Sequence, residues 1–410
     1  MNAGSLHECM QQCDNYPNCM AATLGGNACY LKTSFSTTTG GGTAGVNSIV
    51  RYIPPNPNFA APPQAPCLNC SAGCGSALPQ GYVAGGATVN IAKVVNPSDG
   101  KARAIAIHIP KFYDPNRASP LIFGFPGNAD DAAGIEGLTG MSDGNVNPYG
   151  IMVYVTGYQK GFQSNPDWSG LGVDDVGFVD YLINDMTSRF CVDTGRLFAT
   201  GHSNGGGFTN MLACDPVMSV KFAAFAFNAG ACYTNANSGN PSTIEPVNTP
   251  DQAQCAPGRN NVPWLEIHGT ADGTIAYQGG VRRGKLLPTL PHLATAWAVR
   301  QGLSSSNYTT APSTGVTQYQ FGGEIGQLGM ITHYRLDNWG HFWAKTSGGA
   351  PMDGTPVMMD FFYRWSDPNR AAAYAPESSS SSSSMSTGAL TTTVRLAQSI
   401  SLQCDVKANV

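Results

Sequence analysis

Short apolar runs alternate along the chain with stretches whose apolar residues recur every three or four positions. Ala104–Ile109, Pro120–Phe125, Ile151–Thr156, Arg196–Thr200, Phe222–Phe227 and Trp264–His268 are the runs. Each is nearly continuous in apolar residues, the pattern of strands buried on both faces. Met330–Leu336 predicts one more strand. Val173–Phe190 carries Val176, Val179, Ile183 and Met186 at helical spacing, with Asp174 placed as N-cap. Phe208, Met211 and Leu212 mark a second helix, Pro291–Gly302 predicts a third stopped by glycine, and Thr355–Trp365 a last one. Strand followed by helix, several times over, predicts an α/β fold with a mostly parallel central sheet.

The flanks of this body read differently. Cys9, Cys13, Cys19 and Cys29 crowd the first thirty residues, and six prolines fall within Ile53–Pro66. A proline-rich stretch of that kind is an extended, semi-rigid spacer. Beyond Arg370 the chain passes into an unbroken serine run, Ser378–Ser384, a flexible linker by composition. The expected organisation is a small disulfide-stapled module over 1–53, a linker over 54–66, a body over 67–370, a Ser-rich linker over 371–388 and a disordered tail over 389–410.

Composition narrows the function classes. A chain of 410 residues has room for two or three domains, and with 42% hydrophobic residues it can build a large core. The net charge of −4 excludes the basic stripe of a nucleic-acid binder. No apolar run is long enough to span a membrane. Twelve cysteines and two glycosylation sequons, Asn69-Cys70-Ser71 and Asn307-Tyr308-Thr309, point to an extracellular protein. The opening MNAGSLHECM shows no signal peptide, so the expectation is a secreted protein whose leader is missing from this chain. No paired C-x-x-C motifs occur, so no metal is expected. Cys191, Cys214, Cys232 and Cys255 make an even set, and Cys67, Cys70 and Cys74 a group of three. Cys74 is expected to reach the body, with connectivity left open, and Cys404 to be free or paired between chains.

The chemistry starts at Gly201-His202-Ser203-Asn204-Gly205, a G-x-S-x-G motif directly after the strand Arg196–Thr200 and before a helix. Strand, tight turn and helix are the context of a nucleophile elbow, so Ser203 is the candidate nucleophile. A serine needs a base and the base an orienting carboxylate, in the chain order Ser, Asp/Glu, His. Of the histidines that follow, His268 and His333 sit in strands and are read as structural, and His292 opens a helix. His341, in the loop Asn338–Trp343, is the candidate base. Asp272, in the loop after Trp264–His268, is the candidate acid. Asp174 and Asp175 are assigned to helix capping and the helix dipole. The oxyanion hole should use the backbone N–H of Asn204 and one from the loop after Pro120–Phe125. Pro126 has no N–H, which leaves Gly127 or Asn128, with Asn128 preferred. Tyr158, Trp168, Tyr233, Trp339 and Trp343 are aromatic candidates for stacking on a substrate or for packing.

Gly73–Gly75, Pro120–Asn128, Gly172–Asp185, Cys191–Asp215, His268–Tyr277 and Trp339–Trp343 together resemble the fungal feruloyl esterases of type D. These are related to polyhydroxybutyrate-depolymerase-like and acetyl xylan esterases. The resemblance implies an α/β-hydrolase fold, secretion, and cleavage of ester substituents from plant cell-wall polysaccharide such as feruloylated arabinoxylan. It implies the nucleophile, acid and base roles for Ser203, Asp272 and His341, with no cofactor. One departure is Pro126-Gly127, where the family commonly has His-Gly. The first fifty residues resemble part of a PAN/apple module, on Leu6–Cys13, Cys19 and Cys29-Tyr30-Leu31, which implies binding of carbohydrate or protein. Within the esterase reading, acetyl xylan and hydroxyalkanoate polyester are the alternative substrates. The competing class is a secreted binding protein with an inactive hydrolase domain.

Overall fold

Strands that are apolar at consecutive positions can only be satisfied in the middle of a sheet covered on both faces. The computed structural model describes residues 21–25, 28–32, 46–50, 70–168, 170–245, 255–325 and 327–365. They belong to two compact units. In the first, strands β1 (Ala21–Gly25), β2 (Ala28–Lys32) and β3 (Val46–Val50) form an antiparallel sheet in the order β2-β1-β3. The expected helix Leu6–Cys13, both linkers, the sequon at Asn69, Cys404 and the side chains of the amino-terminal cysteines lie outside the described residues.

The second unit is the body. Its elements are β4 (Val89–Val95), β5 (Ala102–His108), β6 (Ser119–Phe125), α1 (Ala132–Thr139), β7 (Ile151–Val155), α2 (Asp175–Arg189), β8 (Val192–His202), α3 (Asn204–Cys214), α4 (Met218–Lys221), β9 (Ala224–Asn228), β10 (Trp264–Gly269), β11 (Gly280–Arg282), β12 (Lys285–Leu287), α5 (Leu290–Arg300), β13 (Tyr308–Ser313), β14 (Val316–Phe321), β15 (Ile331–Leu336) and α6 (Gly354–Trp365). Ten strands form one sheet in the order β13-β14-β15-β10-β9-β8-β6-β7-β5-β4. The six strands from β15 to β7 run parallel, and an antiparallel pair closes each edge. This is the α/β-hydrolase fold. β6, β7, β9 and β10 are buried at every position, as their unbroken apolar runs require. The edge strand β4 is half-exposed and carries a bulge between Ile91 and Val94. Among the described residues no helix is long and apolar enough to cross a membrane.

Two acidic residues at the start of α2 divide the work that capping was expected to do for both. Asp174 is the N-cap, its side chain accepting from Gly177 N at 2.8 Å. Asp175 is instead buried against Arg103, whose Nε donates to its Oδ1 at 2.8 Å, and it accepts from Gln163 N at 2.8 Å. Arg103 also pairs with Asp99 at 2.7 Å, so this buried cation faces two carboxylates. Cys74 does reach the body, bonding Cys191 across a sequence separation of 117, and Cys214 bonds Cys255. Of the even set, Cys214 and Cys255 pair with each other, Cys191 takes Cys74 from outside it, and Cys232 is a buried free thiol.

The largest core side chains carry their own polar demand. Trp264 in β10 and Trp297 in α5 stack at 5.9 Å and are fully buried. A buried indole N–H needs an acceptor. Asn210 in α3 supplies one for both, its Oδ1 accepting from Trp264 Nε1 at 3.0 Å and from Trp297 Nε1 at 2.9 Å. Asn210→Leu leaves two buried donors unpaired, at about 1–3 kcal/mol each. A fall of several degrees in Tm is the expected result, and an unchanged Tm would refute this pairing as a stabilising contact.

Candidate active site

β8 runs straight into α3, and Ser203 is the single residue between them. Its backbone sits at φ 55°, ψ −118°. A non-glycine residue held at positive φ costs about 1–3 kcal/mol. The motif glycines make room for that turn. A Cβ on Gly201 would lie 2.3 Å from Gly205 O, and one on Gly205 would lie 2.1 Å from Phe125 O. Any larger residue at either place pushes α3 off β6 and β8.

The other loops at this end of the sheet bring Asp272 and His341 to the elbow. His341 Nε2 lies 2.8 Å from Ser203 Oγ, and His341 Nδ1 lies 2.7 Å from Asp272 Oδ2. Asp272 Oδ1 accepts from Thr274 N at 2.8 Å and Ile275 N at 2.7 Å, which turns its second oxygen toward His341. The histidine loop is tied down on both sides. Asn228, at the end of β9, accepts from Ala344 N at 2.9 Å and donates to Phe342 O at 3.2 Å. Ala271 N, beside the acid, donates to Trp339 O at 2.9 Å. The three residues singled out from the sequence thus form one hydrogen-bonded row.

Asn204 is the first residue of α3, so its N–H is among those no helical carbonyl takes. Its side chain is occupied elsewhere, accepting from Phe162 N at 2.8 Å and donating to Ser164 Oγ at 3.0 Å. In the loop after β6, Gly127 packs on the elbow: a Cβ there would lie 3.4 Å from Ser203 Cβ. Asn128 is exposed at the tip of that loop. Ala129 N and Asp130 N are spent on Lys160 O and Gly127 O. Among the described residues, the N–H groups of Gly127 and Asn128 are left without such a partner.

The aromatic candidates separate by burial. Tyr233 and Trp343 are buried, and Trp343 donates to Thr355 Oγ1 at 2.9 Å, so both pack rather than face substrate. Tyr158, Trp168 and Trp339 are half-exposed. Trp168 Nε1 donates to Tyr158 O at 2.7 Å. Phe342, next to the candidate base, is 66% exposed and meets Trp339 edge-on at 5.9 Å. An exposed aromatic has no periodic signature, so the sequence alone does not single out Phe342.

Two buried residues stand behind the row: His268, which the sequence places in a strand as structural, and Glu266, which it does not single out. Glu266 is fully buried in β10, and the fully buried His268 stands two positions on, toward the same face. His268 Nδ1 lies 2.7 Å from Glu266 Oε1, and its Nε2 lies 2.8 Å from Ile275 O and 3.2 Å from Asp272 Oδ2. The available signal was a glutamate inside an apolar run, since a carboxylate in a strand buried on both faces must have a partner. Burial alone raises the pKa of Asp272, yet the hydrogen bonds and charges of His268 and His341 hold it well below the usual carboxylate range. Burial also disfavours charge on His268, but Glu266 and Asp272 outweigh it and raise its pKa to about 10. Burial, joined by the charge of His341, drives His202 down to about 3, so that ring stays neutral beside the serine. Among the described residues no group of three or more His, Cys, Asp or Glu side chains is arranged to hold a metal ion.

No family model matches the chain. It is 27% identical over 214 residues to the probable feruloyl esterase C of Aspergillus clavatus, covering 52% of this chain and 66% of that protein. The chain is similar to fungal feruloyl esterases. It is 28% identical over 196 residues to feruloyl esterase C of Emericella nidulans, covering 46% of this chain and 60% of the relative. To feruloyl esterase D of Neurospora crassa it is 27% identical over 211 residues, covering 50% and 62%. The chain thus spans about three fifths of the length of the curated relatives it matches. Among solved structures, an acetyl xylan esterase from Aspergillus awamori aligns over 68% of this chain and 100% of its own, at 15% identity and a TM-score of 0.48. The fold is defined by the strand order itself.

The opposed pKa displacements give stability a pH signature. Asp272, held low, stabilises the folded state above its unfolded value of about 4, and that contribution is lost as pH falls toward the folded value. His268, held high, contributes fully below its unfolded value of about 6.5. Its share is lost as pH rises through about 10. The pair therefore stabilises most between about pH 4 and 6.5. Urea midpoints across pH should show wild type exceeding Asp272→Asn by the widest margin in that window. A margin that grows toward pH 9 would contradict these protonation states.

Proposed function

We propose that the protein is a secreted serine esterase that hydrolyses hydroxycinnamate esters, ferulate foremost, on plant cell-wall polysaccharide. The observation that carries this is the row Ser203–His341–Asp272, at 2.8 and 2.7 Å, on a strained strand-to-helix turn. Similarity to feruloyl esterases C and D supports the choice of acyl group. In this reading Ser203 Oγ attacks the ester carbonyl as His341 Nε2 takes its proton. Asp272 holds Nδ1–H and stabilises the imidazolium that forms. The N–H of Asn204, with that of Gly127 or Asn128, receives the negative charge on the tetrahedral oxygen. His341 returns its proton to the departing sugar hydroxyl, leaving an acyl-serine, and then activates the water that releases the acid. Trp339 and Phe342 flank the base on the exposed side, where a cinnamoyl ring or a sugar face can stack. The first fifty residues we read as a partial PAN/apple-like module that carries a carbohydrate or protein ligand.

Two measurements test the reading. A fluorophosphonate should add one adduct to the intact mass of the wild type and none to Ser203→Ala; labelling of both would remove Ser203 from the nucleophile role. Methyl ferulate should be hydrolysed by the wild type, with kcat falling by about 10³-fold or more in Ser203→Ala. Failure on methyl ferulate with turnover of acetylated xylan would move the acyl group to acetate. Failure on both, with no labelling, would leave an inactive hydrolase domain.

A further inference from the structure

The His268 ring has an acceptor at each nitrogen. Nε2 faces the Ile275 carbonyl at 2.8 Å, an oxygen that can only accept, with Asp272 Oδ2 at 3.2 Å beside it. Nε2 therefore carries a proton. Nδ1 faces Glu266 Oε1 at 2.7 Å. The second Glu266 oxygen lies 2.7 Å from His333 Nδ1, across the register pair Glu266–His333 of β10 and β15, in a bent contact rather than an aligned hydrogen bond. His333 Nε2 lies 2.9 Å from Tyr277 OH, which can donate to it, leaving Nδ1–H to face Glu266. With a donor on each side Glu266 fits an ionised carboxylate, and His268 then holds two protons. Glu266, His268 and Asp272 form a buried row of charges, minus, plus, minus, ending on the carboxylate that orients His341.

We propose that His268 is a positioning residue for the reaction: a buried imidazolium, held charged by Glu266, that neutralises the back of Asp272 and keeps its Oδ2 turned to His341. The proposal rests on the reading of Ser203, His341 and Asp272 as a triad. Its consequence concerns the base. A lone carboxylate against His341 would favour the protonated, inactive imidazolium. A fixed cation on the far side of that carboxylate opposes that pull. The other titratable groups around the row are His202 at the end of β8, Cys232 after β9, Tyr277 after β10 and His341 after β15. Tyr319 on β14 stacks on His333 at 5.8 Å.

Glu266→Gln tests this while keeping shape. A neutral amide can donate to Nδ1, so His268 gives up its charge and Asp272 loses its compensating cation. The acidic limb of kcat/KM for 4-nitrophenyl acetate should then move up by about one pH unit. A purely packing role would lower kcat at every pH and leave the limb in place, and that result would overturn the proposal. The second measurement needs no variant activity: long-range ¹⁵N–¹H correlation of the histidine rings in the wild type at pH 8. His268, assigned by the loss of its signals in His268→Gln, should show protons on both nitrogens. A singly protonated ring at pH 8 overturns the proposal even where the triad is active. Full activity in Ser203→Ala would instead overturn the triad and leave the charge on His268 to be read by the same spectrum.

Discussion

The approach of two backbones at the elbow is the constraint on which the site depends. α3 can begin directly at the end of β8 only because Gly201 and Gly205 bring it against β6 with no side chain between. That approach leaves Ser203 in a conformation it would not choose, and the packing of α3 offsets the cost. Phe208 stacks on Phe162 at 4.8 Å and meets Phe125 edge-on at 5.0 Å, all three fully buried. Each such aromatic contact contributes about 0.5–1.5 kcal/mol beyond its burial, comparable to the strain it holds in place. Phe125 ends β6 just before the turn at Gly127 and Asn128, and Phe162 belongs to the loop that Asn204 binds. The contacts that force the serine outward therefore also set the surfaces around it.

Backbone strain gathers at the same edge. The described residues other than glycine with positive φ are Ala129, Gln159, Lys160, Ser203, Ala229, Arg283 and Asn338. Apart from Arg283, in the turn of the β11–β12 hairpin, they follow the carboxyl ends of β6, β7, β8, β9 and β15, and the opposite edge of the sheet carries none of them. Ladders of buried strands over-determine where each loop starts, so each can be bent against local preference. The loops then brace one another: Lys160 O takes Ala129 N, and Trp339 O takes Ala271 N. A row of three side chains drawn from three loops keeps hydrogen-bond geometry because those loops cannot relax separately. Such preorganisation is what charge development in a transition state exploits.

How much of this was legible follows from where the signals reside. β6 to β10 could be read because strands buried on both faces need unbroken apolar runs. Ser203 was found by its glycines, and Asp272 and His341 by chain order and position after strands. β4, α1 and the β13–β14 hairpin escaped, since half-exposed edges such as Tyr308–Ser313 lack a strong period. Spacing leaves connectivity open, so only the fold shows that Cys74 crosses to Cys191 and leaves Cys232 free. Asp175 was assigned to a helix end from its neighbours in sequence, whereas its partner Arg103 lies on β5, far away in the chain. His268 and His333 were rightly placed in strands, but the carboxylate between them belongs to a register pairing that only the folded sheet reveals.

That register makes Glu266 the most informative residue in the core. A buried ion pair is weak evidence for stability, because desolvation of the charges consumes most of their attraction. In Trp264–His268 a valine or isoleucine at position 266 would suit a strand covered on both faces and would ask for no partner. The glutamate instead commits His268, His333 and Tyr277 to keeping one negative charge satisfied at the centre of the sheet. Its neighbours explain the commitment better than the fold does. The same carboxylate holds the ring that touches Asp272, and Asp272 holds the ring that touches Ser203. Charge in this core is spaced residue by residue toward the half-buried hydroxyl of Ser203, an arrangement costly for folding that points at the elbow.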